Sequence, residues 1–100
     1  MKKEIVTLNT YDFNLQGKFR SGNDVKVFCD ATEGDFSINL VDAQSAIDTI
    51  FTFIRVDEIR DYIVTLNTIL GQTFKNESSQ KLRVGSAIVC TSDGFNYFTG

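Results

Sequence analysis

Apolar and polar positions alternate through much of this chain, and the alternation predicts strands. Phe36-Ser37-Ile38-Asn39-Leu40 places an apolar side chain at every second residue, the mark of a strand with one buried face. Val25 to Cys29, Ile50 to Val56 and Tyr62 to Leu66 are rich in β-branched and aromatic residues, which favour extended backbone. Gly71 to Phe74 reads as a turn into a short strand. Leu82 to Gly85 and Ala87 to Thr91 follow as strands. Ser92-Asp93-Gly94-Phe95-Asn96-Tyr97-Phe98 reads as a closing hairpin turned by Asp-Gly. Gly17 to Asp24 reads as loop. It sets residues 1–22, an N-terminal arm and loop, apart from a β-domain over residues 23–100.

A helical reading competes over part of the chain. Ala46, Ile47, Ile50, Phe51 and Ile54 also fall at helical spacing, with Asp42 as a plausible cap. Ile59, Tyr62, Ile63, Leu66 and Leu70 do the same between Asp57 and Gly71. Composition favours strands, because β-branched and aromatic residues lose side-chain freedom in a helix. The expected fold is therefore all-β: a small antiparallel β-sandwich or β-roll with an extended N-terminal arm.

The strand reading gives "IFTFIRV" two apolar faces. Ile50, Ile54 and Val56 share one, and Phe51 and Phe53 the other. A sandwich strand usually shows one face to water. The second face could be covered by the arm, through Tyr11, Phe13 and Phe19, or by another subunit. Tyr11, Phe13, Phe19, Phe51 and Phe53 are thus candidate interface residues, together with Phe95 and Tyr97 of the closing hairpin.

Composition narrows the functional classes. A chain of 100 residues is one domain by default, and roughly two-thirds of its unfolded surface is buried on folding. The net charge of -3 offers no electrostatic footprint for nucleic acid or anionic lipid. No apolar run approaches the ~20 residues of a membrane-spanning helix, and the N-terminus does not read as a signal peptide. Nucleic acid and membrane are therefore not expected partners.

The chain has no histidine, so Ser–His and Cys–His systems are excluded within it. Cys29 and Cys90 sit among apolar neighbours and read as buried free thiols. Asp57, Glu58 and Asp61 beside Arg55 and Arg60 read as a solvated charged loop. Asp30, Glu33 and Asp35 around Gly34 read as a plain turn that does not match a calcium loop. No catalytic residue, metal or cofactor is expected.

From Phe36 onward the segments come in a telling order. They are "FSINLVDA" (Phe36 to Ala43), "FTFIRVD" (Phe51 to Asp57), "IVTLNT" (Ile63 to Thr68) and "GQTF" (Gly71 to Phe74). "LRVGSAIVCT" (Leu82 to Thr91) and "SDGFNYF" (Ser92 to Phe98) complete the series. The ordered set resembles a β-domain of bacteriophage virion proteins, found in tail and head fibres, spikes and capsid-decorating proteins. In that group the corresponding segments run "ITLPDA", "FTIKR", "VTI", "GxTI" and "SDGTNWY". Val41 stands here in place of the proline and Tyr97 in place of the tryptophan; Asp48-Thr49 stands where a glycine commonly precedes the second strand. Residues 1–35 lie outside the resemblance.

The resemblance implies adjacent strands at Phe51–Val56 and Ile63–Asn67, with a helix-like or irregular link before the first. It also implies a non-enzymatic building block of a virus particle, located in the virion. The expected partners are capsid or other virion proteins and further copies of the chain, with a homotrimer favoured. A module of this size would suit a capsid-decoration protein, with a small fibre component or a carbohydrate- or host-protein-binding module as alternatives.

Overall fold

The computed structural model describes residues 3–9, 14–20, 22–69, 71–74, 77 and 79–99. The strands run in order β1 (Lys3–Asn9), β2 (Asp24–Asp30), β3 (Phe36–Asn39), β4 (Ile50–Arg55), β5 (Val64–Asn67), β6 (Ser79–Leu82), β7 (Ala87–Ser92) and β8 (Tyr97–Thr99). One turn of 3-10 helix, Ala43–Ala46, links β3 to β4, with Asp42 accepting a capping bond from the Gln44 N–H. The helical alternative over Ala46–Ile54 therefore gives way to a short link and a strand. The fold is all-β, as expected.

The pairing directions differ from the antiparallel expectation. A five-stranded sheet has the order β1-β2-β4-β7-β8, and a three-stranded sheet the order β3-β5-β6. Pairs β1/β2, β2/β4 and β3/β5 are parallel; β4/β7, β5/β6 and β7/β8 are antiparallel. The reason is the path of the chain. It passes from one sheet to the other and back, β2 to β3 to β4 to β5, so each return lies parallel to the strand it left. This corrects the expectation that Phe51–Val56 and Ile63–Asn67 are adjacent strands: β4 and β5 sit in opposite sheets.

The coil begins earlier than β2. Asn14 makes a parallel bridge to Asn39, and Asn39 pairs in register with Asn67. Three successive turns thus place an asparagine at the same point. The backbone repeats too: the Leu15 N–H donates to Asn39 O, and the Leu40 N–H to Asn67 O. Residues 1–22 were expected to form an arm apart from the β-domain, yet β1 is the edge strand of the larger sheet, in register with β2 from Lys3–Asp24 to Asn9–Asp30. Its sequence carries a signal that alternation alone does not bring out. The hexapeptide Ile-Val-Thr-Leu-Asn-Thr occurs twice, at residues 5–10 and 63–68. In both copies the valine and leucine are core residues: Val6 and Leu8 in β1, Val64 and Leu66 in β5.

Strand ends shift from expectation where side chains take the backbone groups. The strand expected from Tyr62 begins at Val64, because Tyr62 O accepts from Arg55 and the Ile63 N–H donates to Asp35. The strand expected over Leu82–Gly85 is not found: the strand there is Ser79–Leu82, and Arg83–Gly85 form a turn closed by the Ser86 N–H to Arg83 O. Inward-facing residues alternate as the pleat requires: Val25, Val27 and Cys29 on β2, Phe51 and Phe53 on β4, Ile38 on β3 and Leu66 on β5. Phe51 is the hub of the aromatic packing. It stacks on Phe53 at 5.9 Å, meets Phe19 edge-on at 4.9 Å and lies 6.5 Å from Tyr97.

Arg55 takes the third inward position of β4 and is buried. Its Nε donates to Asp57 Oδ1 at 2.6 Å and its Nη2 to Oδ2 at 3.0 Å, a bidentate pair. Nη1 donates to Leu82 O, and Nη2 also to the carbonyls of Ile59 and Tyr62. Asp57 accepts in turn from the N–H groups of Ala31 and Ile59. This corrects the expectation of a solvated charged loop. Glu58, Arg60 and Asp61 are exposed, but Arg55 and Asp57 form a closed internal clamp, with side chains 0% and 3% exposed.

Burial by itself would raise the Asp57 pKa. The hydrogen bonds from Arg55, Ala31 and Ile59 and the guanidinium charge outweigh it and hold the carboxyl at about 2. A carboxyl held low in the folded state contributes stability above its unfolded pKa and loses that contribution as pH falls towards the folded value. Asp57→Ala should therefore cost about 3 kcal/mol at neutral pH by leaving Arg55 buried and unpaired. Urea unfolding at a series of pH values checks this: the gap between wild type and variant should narrow as pH drops from about 4 towards 2.

Candidate functional site

The structure separates the candidate interface residues into distinct classes. Phe51, Phe53 and Tyr97 are each 0% exposed and leave no surface for a second subunit. They serve the chain's own core. Phe19 packs edge-on against Phe51, so the N-terminal segment covers that ring from within the same chain. Phe95 is 77% exposed. Tyr11 and Phe13 lie outside the described residues.

The exposed apolar surface is the opposite face of β4. Because Phe51 and Phe53 point inward, Ile50, Thr52 and Ile54 point out, and the register extends that row across the sheet. Thr7, Phe28, Ile54 and Ala87 stand side by side on β1, β2, β4 and β7. Ile5, Lys26, Thr52 and Val89 form the neighbouring row. Phe98 continues the surface on β8 opposite Thr91. Ile5, Val89 and Phe98 are exposed, while Phe28, Ile50 and Ile54 are half-buried by their neighbours. The outer face of the three-stranded sheet is different. Ser37, Thr65 and Lys81 stand there, with Asn39, Asn67 and Ser79 in the next row. One side of the sandwich is thus polar throughout, whereas the other carries these apolar side chains among polar ones, with Lys3 and Asp24 beside Ile50 and Asn9 beside Asp30 at its margins.

The closing hairpin has the predicted form. Gly94 has φ +95°, and Asp93 Oδ1 accepts from the N–H groups of Phe95 and Asn96. These bonds hold the exposed Asp93 carboxyl below its usual range. Tyr97 donates its hydroxyl to Val41 O at 2.9 Å, and burial pushes its pKa up.

Among the described residues, no three His, Cys, Asp or Glu side chains gather where they could hold an ion, and no helix is long and apolar enough to cross a membrane. Cys29 and Cys90 are both buried free thiols. Cys29 is level with Arg55 and Cys90 with Phe51, so they are offset by roughly 13 Å along the strand direction, beyond disulfide reach. Burial pushes each thiol up to about 12.

Compared with known proteins, the chain matches no family model, and no curated protein or solved structure matches it significantly.

The thiols provide a direct check on the packing. In native buffer at pH 8, both should resist a water-soluble disulfide reagent; in denaturant, both should react at once. Rapid native labelling of either would contradict their enclosure.

Proposed function

We propose that this chain is a structural, non-enzymatic protein of a bacteriophage particle: a capsid-decoration or auxiliary protein seated on the head shell. The observation that carries the reading is the inequality of the two outer faces. A polar face suits water, whereas a continuous row such as Phe28, Ile54 and Ala87, flanked by Ile5 and Val89, marks an interface. The occupant of that face in this reading is the capsid shell. The ordered series of segments from Phe36 to Phe98 supports a virion protein as the kind of partner-dependent module.

Copies of the chain assemble on the shell, with a trimer as the favoured state. The outer edge of β1 gives neighbouring copies a place to add a strand, since backbone hydrogen bonds there supply affinity without special side chains. Because Lys3–Asn9 is already paired with β2, β1 acts as an acceptor edge rather than as a free arm. The net charge of -3 agrees with protein partners and not with nucleic acid or membrane.

The experiment is the copy number of this chain in purified particles. Hundreds of copies in a ratio set by the shell lattice are expected. A handful of copies would assign it to a fibre or tail, and recovery only from the soluble fraction of infected cells would reject a virion role. The paired substitutions Ile5→Asp and Val89→Asp should strip the protein from particles. Both positions are exposed, so stability should change by about 1 kcal/mol or less per site. Full occupancy by this variant would rule out the apolar face as the docking surface.

A further inference from the structure

Away from the apolar sheet face, the β7–β8 hairpin, the 3-10 helix and the turn before Phe74 enclose an open cleft of about 560 Å³. Its walls carry Asp42, Ile47, Gln72, Asp93, Phe95 and Asn96. The walls are fixed to one another. Gln72 Oε1 accepts from the Ala43 N–H, and its Nε2 donates to Asp42 Oδ1. Asn96 Oδ1 accepts from the Thr73 N–H, and the Tyr97 N–H donates to Thr73 O. Ser92 Oγ donates to Ala43 O and accepts from the Gly94 N–H. A Cβ placed on Gly94 would come within 3.1 Å of Ile47 Cδ1, so helix and hairpin touch there. The cleft is therefore preformed.

Phe95 has no structural duty that explains its side chain. The turn uses only its N–H, which any residue could supply, and its ring is 77% exposed at the lip of the cleft. What singles it out is its place in the lining of a recess whose other walls carry convergent polar groups, the arrangement of a small-ligand site. The polar atoms left to a ligand are mixed in kind. Asp42 and Asp93 each spend Oδ1 on two N–H donors, and among the described residues no donor meets either Oδ2. Asn96 spends its Oδ1, and its Nδ2 remains a donor.

From this arrangement we infer that the cleft is a binding site for a neutral saccharide. A pyranose ring has an apolar C–H face and a rim of hydroxyls that both donate and accept. The C–H face stacks on Phe95, and the rim meets Asp42 Oδ2, Asp93 Oδ2 and Asn96 Nδ2. Two carboxylates without a basic residue in the lining turn away phosphates and acidic sugars. An arginine side chain fits less well. Its fork pairs best with a carboxylate that offers both oxygens, and here each Oδ1 is already doubly occupied. This site is additional to the proposed shell contact and does not depend on it.

The test is an immobilised panel of neutral oligosaccharides built from glucose, galactose, mannose, rhamnose and N-acetylglucosamine. Amide-resolved NMR titration with the retained members follows. At least one should bind, with shifts confined to the amides of residues 42–44, 71–73 and 93–97. Phe95→Ala should weaken that binding about tenfold or more and leave the urea midpoint unchanged. Molar sodium chloride should have little effect, because the ligand is uncharged. The inference fails if no panel member shifts these amides at millimolar concentration, or if Phe95→Ala binds as wild type does. It also fails if the cleft answers only to arginine-rich peptides in a salt-sensitive manner.

Discussion

Arg55 occupies a position where the pleat of β4 would place a third apolar side chain after Phe51 and Phe53. A guanidinium there is tolerable only if every donor is met, because an uncompensated charge inside a sandwich costs several kcal/mol. The chain meets the demand by folding residues 56–63 back over the strand end. Asp57 supplies the bidentate partner, Ile59 and Tyr62 supply carbonyls, and Leu82 supplies one from the other sheet. Asp57 then ties in Ala31, at the end of β2. One ion pair thereby sets where β4 stops, where β5 can start and how the two sheets meet at this end. Among the described residues, no buried side-chain nitrogen or oxygen lacks a partner.

At the opposite end the same task falls to neutral groups. Tyr97 fills the core with its ring and satisfies Val41 O with its hydroxyl, while Gln72 and Asn96 cross-link the link segment, the Thr73 turn and the final hairpin. Between the two ends lies the parallel coil, whose turns repeat from Asn14 through Asn39 to Asn67. A coil of this kind leaves both sheets with parallel pairs, and the hairpins after β5 close it with antiparallel ones. The result has one polar broad face, one broad face that carries an apolar row among polar residues, and a polar cleft at an end. Its two thiols are buried and held protonated.

Much was legible from local pattern alone. The strands β2, β3, β4 and β7 lie where alternation and β-branched composition placed them, and the Asp93-Gly94 turn is where the hairpin signal put it. These features depend on neighbours within a few residues, so a linear reading reaches them. The free, buried state of Cys29 and Cys90 belongs here too, since apolar neighbours on a strand predict burial. The hexapeptide repeat at residues 5–10 and 63–68 was equally legible and marks β1 as a strand of the body.

Tertiary structure decided what local pattern could not. Alternation shows that Ile50 and Ile54 face one way and Phe51 and Phe53 the other. It is silent on which side meets the second sheet, because both rows are apolar. Packing resolved this in favour of the phenylalanines, whose rings fill the gap between sheets, and left the isoleucines outside. Strand direction is likewise a property of the path between strands, so parallel pairing emerged only from the coil. The charged run from Arg55 to Asp61 looks uniform in one dimension. Only the fold separates the pair it buries from the residues it leaves in water, because the carbonyls that make burial affordable come from Ile59, Tyr62 and, far along the chain, Leu82.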